Sequence, residues 1–63
     1  MINSGAVYWQ AGFVAGRASR NGDAALVRAQ KSWFNKARQV EAKSDRPIAD
    51  AEYKRGYAEA GRA

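Results

Sequence analysis

The sequence predicts an all-α fold, one small domain of three helices over residues 1–63, and three observations predict it. No segment alternates β-branched and polar residues with a period of two, so no strand is expected. Apolar residues recur instead at helical spacing through long stretches. Breaks at Asn21-Gly22 and at Ser44-Asp45-Arg46-Pro47 then divide the chain into three such stretches.

The first helix is expected over about residues 5–20. Asn3 or Ser4 can cap it, Val7, Ala11, Val14, Ala15 and Ala18 keep helical spacing, and Asn21-Gly22 supplies a left-handed stop. Asp23 caps a second helix, in which Leu26, Val27, Trp33, Phe34, Ala37 and Val40 fall on one side and which fades near Lys43 and Ser44. Pro is tolerated in a first helical turn, where its missing N–H leaves no bond unmade. The third helix is therefore expected from about Pro47 or Ile48 to the chain end, fraying at Gly61.

A chain of 63 residues buries only about 60% of the surface its unfolded form exposes, so partners are expected. The 46% hydrophobic content overstates the core, because fourteen of those residues are Ala and Leu26 is the only Leu. The larger apolar side chains are Tyr8, Trp9, Phe13, Trp33, Phe34, Tyr53 and Tyr57, with Val7, Val14, Val27, Val40 and Ile48 around them. A small aromatic core containing Trp33 is expected.

The chain holds no Cys and no His, which excludes disulfides, structural zinc and imidazole acid-base chemistry. Asp23, Glu41, Asp45, Asp50, Glu52 and Glu59 form no paired constellation, and there is no phosphate-cradling Gly-Lys-Ser/Thr loop. No catalysis, metal or cofactor is expected. The longest apolar stretch, Gly5 to Gly16, is too short to cross about 30 Å of hydrocarbon and has no basic segment before it, so a cytoplasmic protein is expected.

Eleven Lys and Arg against six Asp and Glu give a net charge of +5, which points to an anionic partner. At about 100° per residue, Arg28, Lys31, Asn35 and Arg38 share one narrow sector of the second helix beside its apolar side. Such a stripe can track phosphates, and it is also an ordinary solvated face. The first helix is apolar around most of its circumference, in two sectors, Val7/Ala11/Val14/Ala18 and Trp9/Gly12/Phe13/Gly16, that cannot both face one thin core. Trp9 and Phe13 lie in line with Arg20 and near Arg17, an aromatic and cationic strip suited to stacking on bases or entering a protein pocket. Lys31-Ser-Trp-Phe-Asn-Lys-Ala-Arg38 looks like part of a homeodomain recognition helix, but Asn35 stands one residue too early to read a base in that way.

Residues 8–18, YWQAGFVAGRA, return as residues 53–63, YKRGYAEAGRA. Gly12 with Gly16, and Gly56 with Ala60, put small residues one turn apart in each copy, so another backbone can approach closely. The contact is expected between the first and third helices, or across a symmetric homodimer.

Gln10 to Arg17 and Tyr53 to Ala60 resemble the two helix motifs of the ribosome modulation factor family, which has a branch of small plasmid- and phage-borne relatives. The resemblance covers about twenty residues in two pieces. It implies a small basic bacterial protein that binds ribosomes and promotes their hibernation, and a plasmid-borne branch has been linked to fluoroquinolone resistance. The Pro-aromatic element usual between the family's helices is missing, and residues 23–43 form a whole extra helix in its place.

Two functions follow as expectations. In the first, the protein is a non-catalytic modulator that docks on rRNA or the ribosome, with Arg17, Arg20, Arg28, Lys31, Arg38, Lys54 and Arg55 neutralising phosphates and Trp9, Phe13 or Tyr53 stacking. In the second, a phage- or plasmid-encoded protein uses the same surface to inhibit an acidic host protein, an enzyme or a defence complex.

Overall fold

The computed structural model describes residues 5–62; the expected caps Asn3 and Ser4, and Ala63 of the repeat, lie outside them. Three helices account for nearly all of it: α1 (Gly5–Arg20), α2 (Ala24–Val40) and α3 (Arg46–Arg62), with a short 3₁₀ turn at Lys43–Asp45 before α3. Among the described residues there is no strand, and no helix is long and apolar enough to cross a membrane.

The breaks are built as the sequence predicts. Gly22 takes a φ of +76°, which lets the Asp23 N–H reach the Ala18 carbonyl at 2.8 Å and its own N–H reach that of Ser19 at 3.2 Å. This is a Schellman stop, and it uses the left-handed conformation that Gly adopts without penalty. Asp23 then accepts from the Leu26 N–H at 3.1 Å and caps α2. Helix α2 ends at Val40, a little before the expected Lys43 or Ser44, because Arg46 turns back and donates to the carbonyls of Arg38 and Gln39, each at 3.2 Å. Helix α3 continues through Gly61 to Arg62, where fraying was expected, because Arg20 donates to the carbonyls of Ala60 and Gly61 at 3.3 and 2.5 Å. In each case a cation satisfies helix-end carbonyls that the helix itself leaves unpaired.

The chain runs up, down and up. Gly5 lies against Glu52, Gly12 against Tyr53, and Gly16 against Tyr57 and Ala60, so α1 and α3 are parallel. Helix α2 returns antiparallel across them, with Tyr8 meeting Trp33 and Phe34 near its C-terminal half. A Cβ on Gly12 would stand 2.0 Å from the Tyr53 carbonyl oxygen, and one on Gly56 would stand 2.0 Å from that of Trp9. The contact is reciprocal, each glycine receiving the carbonyl of the aromatic residue three positions before the other glycine. By letter the repeat spaces its copies 45 residues apart, Tyr8 to Tyr53; in space the correspondence is Trp9 to Tyr53 and Gly12 to Gly56, a spacing of 44. The small-residue ridges thus meet each other inside the chain, at the α1–α3 contact.

The core is smaller than expected and rich in Ala: Tyr8, Ala11, Ala15, Ala18, Phe34, Ala49, Tyr53 and Ala60 are buried. Tyr8 is fully enclosed, its hydroxyl donating to the buried carboxylate of Glu41. Trp33 does not belong to this core. It is 41% exposed, while its neighbour Phe34 is 5% exposed and packs on Tyr53 with ring centroids 4.3 Å apart. Leu26, Val40 and Ile48 are also exposed. Helix α1 answers the problem of its two apolar sectors by packing on both sides: Ala11 and Ala18 are buried on one, Gly12 and Gly16 on the other. Val14, Trp9 and Phe13 are left half-buried at its rims.

Gly61 has no atom within 4 Å of an added Cβ and no positive φ. Gly61→Ala is therefore expected to stabilise the domain by up to about 1 kcal/mol through helix propensity alone. A thermal melt followed by circular dichroism reads this as a higher Tm, and an unchanged or lower Tm would place Gly61 outside a helix.

Candidate nucleic-acid interface

Helices α2 and α3 diverge from their contact at Phe34 and Tyr53, leaving a groove of about 460 Å³ lined by Val27, Lys31, Tyr53, Lys54, Tyr57 and Ala58. Lys31 stands on the α2 rim with its ammonium 5.8 Å from the centre of the Tyr53 ring, close enough for a cation–π attraction. Lys54 stands on the α3 rim. Arg28 lines a second hollow that shares Val27 with the groove. Asn35 is exposed one turn beyond Lys31. Three of the four residues of the predicted stripe thus stay available at the surface, Lys31 in the groove, Arg28 in the hollow beside it and Asn35 outside both.

The fourth does not. Arg38 holds Asp50 of α3 through two parallel bonds of 2.8 and 2.9 Å, a fork-to-fork pair that ties α2 to α3 and occupies the guanidinium. Other predicted cations are engaged elsewhere. Arg55 pairs with Glu52 at 2.7 Å, and Arg20 caps α3 while forming, with Arg17, Asn21 and Ala60, a separate hollow of about 290 Å³. Trp9 and Phe13 stack on one another with centroids 5.1 Å apart, and since the groove is lined by α2 and α3 only, their strip is not part of it. Gly12, Gly16, Gly56 and Ala60 form the α1–α3 seam.

The acidic side chains explain why the groove is cationic. Asp23 caps α2, Glu41 accepts from Tyr8, and Asp50, Glu52 and Glu59 pair with Arg38, Arg55 and Arg62. No carboxylate lines the groove. Among the described residues, Arg17, Arg20, Arg28, Lys31, Lys36, Lys43, Arg46 and Lys54 stand in no ion pair, and of these Lys31 and Lys54 line the groove.

Burial raises the pKa of the Tyr53 phenol, with a further push from nearby Tyr57. Tyr53 therefore stays neutral and serves as an apolar floor. Tyr57, 39% exposed, is the aromatic side chain of the groove that solvent can reach. Sequence reasoning did not name Tyr57, Val27 or Ala58 as site residues and gave the stacking role to Trp9, Phe13 or Tyr53, of which only Tyr53 lines this groove. The available signal was the helical spacing of Tyr53, Lys54, Tyr57 and Ala58, which puts two aromatics and a cation on adjoining sectors of α3. It could not show that α2 would leave them uncovered.

No protein-family model, no curated protein and no solved structure matches this chain.

Proposed function

We propose that this chain is a small non-catalytic RNA-binding protein whose target is ribosomal RNA. The observation that carries the reading is the α2–α3 groove, which has cations on both rims, tyrosines between them and no carboxylate in its lining. Lys and Arg attract the phosphate backbone, and aromatic side chains hold bases. The resemblance of the α1 and α3 motifs to the ribosome modulation factor family directs the choice of RNA to the ribosome.

The test is a salt titration of RNA binding. Each phosphate neutralised contributes about −0.7 on a single strand, or about −0.9 on a duplex, to the slope of log affinity against log salt. Replacing Arg28, Lys31 and Lys54 together with Gln is expected to flatten that slope by about 2 to 3 while leaving helicity unchanged, since the three types have similar helix propensities. Wild-type protein without RNA affinity at about 50 mM salt, where phosphate contacts are still strong, refutes the reading. A stoichiometric complex with an acidic protein that survives ribonuclease would replace it with the inhibitor role.

A further inference from the structure

Given the RNA reading above, we infer that the α2–α3 groove takes an unpaired base, stacked on Tyr57, and so selects single-stranded over duplex RNA. Two features of the groove lead there. Its two cations stand on opposite rims, Lys31 on α2 and Lys54 on α3, with the apolar surface of Val27, Tyr57 and Ala58 between them. A duplex presents a continuous rod of phosphates to its partner and keeps its base faces inside; against such a rod the apolar strip between the lysines has nothing to bind. A splayed base offers the opposite, an apolar face flanked by its own two phosphates, and this matches the groove in both shape and charge.

The two tyrosines have different roles. Tyr53 is 8% exposed and packed between Phe34, at 4.3 Å, and the Lys31 ammonium, at 5.8 Å, so it has no ring face to give. Tyr57, 39% exposed and 6.5 Å from Tyr53 with the rings tilted 33°, has one. The floor is built and the platform is open. A Cβ on Gly16 would stand 2.8 Å from the Tyr57 carbonyl oxygen, so the backbone beneath the platform is held in the α1–α3 seam.

Fluorescence anisotropy with a labelled oligoadenylate of about 12 nucleotides, alone and annealed to its oligouridylate complement, tests the inference. The single strand is expected to bind more tightly than the duplex. Tyr57→Leu, which keeps the apolar bulk of the groove but removes the ring, is expected to weaken single-strand binding by about fivefold to a hundredfold, the worth of one base–aromatic stack. It should leave duplex binding unchanged, and Tyr57→Phe should bind like the wild type. Equal affinity for the two RNAs, or a Tyr57→Leu variant of normal helicity that binds the single strand as well as wild type, overturns the unpaired-base site while leaving RNA binding in place. Absence of binding to either RNA at about 50 mM salt overturns the RNA reading itself.

Discussion

Gly12→Leu is expected to abolish the folded state. A Cβ at this position would lie 2.0 Å from the Tyr53 carbonyl oxygen and 2.8 Å from its carbonyl carbon, and these are backbone atoms that cannot turn aside. Even Gly12→Ala sets two terms against each other. Alanine gains about 1 kcal/mol of helix propensity over glycine, and the helices must then separate by more than an ångström along their seam. Overpacking of this kind costs about 1 to 3 kcal/mol, and more where the backbone must move. At about 0.05–0.15 kcal/mol per residue, a chain of this length has roughly 3 to 9 kcal/mol in total. Gly12→Ala should lower the denaturation midpoint markedly, and Gly12→Leu should remove the cooperative transition. Because the contact is reciprocal, Gly56→Ala should match Gly12→Ala; a wild-type melting curve for either variant would show that the α1–α3 seam is not formed as described.

The second large effect separates two adjacent aromatics. Phe34→Ala should cost about 3 to 5 kcal/mol, the loss expected for a buried aromatic ring, since Phe34 is 5% exposed and joins Tyr8 of α1 to Tyr53 of α3. Trp33→Ala should cost about 1 to 2 kcal/mol, because a side chain that keeps much of its surface in water loses less when truncated. Trp33 is 41% exposed and touches the core mainly through Tyr8, with ring centroids 6.0 Å apart. Urea denaturation of the two variants gives the comparison, and Trp33→Ala proving the more destabilised would reverse the assignment of the α2 face. From sequence, Trp33 and Phe34 are inseparable as core candidates, since adjacent positions on a helix lie only about 100° apart. In the structure Phe34 is the one that joins Tyr8, Ala11, Ala15 and Tyr53 in the core, and the indole of Trp33 is left at the surface.

The basic stripe divides between what was legible and what was not. Arg28, Lys31, Asn35 and Arg38 share a sector by spacing alone, and α2 presents them that way. That Arg38 would be taken by Asp50, twelve residues on, depends on how α3 crosses α2, and no local pattern carries that information. The same holds for Arg20, read from sequence as a phosphate contact, and Arg46, read as part of a turn; each serves as a cap on the helix that ends beside it.

Local chemistry determined the secondary structure. Positive φ at Gly22, the carboxylate of Asp23 and the first-turn tolerance for Pro47 act within a few residues, so the sequence states where helices begin and end to within about a turn. The repeat likewise announced that the helices carrying it must meet something closely. Only the tertiary structure decided the rest: that the two glycine motifs meet each other in parallel, offset by 44 residues and not the 45 of the letters, and that Trp33 stays at the surface and Tyr57 faces an open groove. The reason is physical. Carbonyls, cations and ring faces on separate helices are assigned partners by interaxial distance and crossing, and those are set jointly by every residue in the seam.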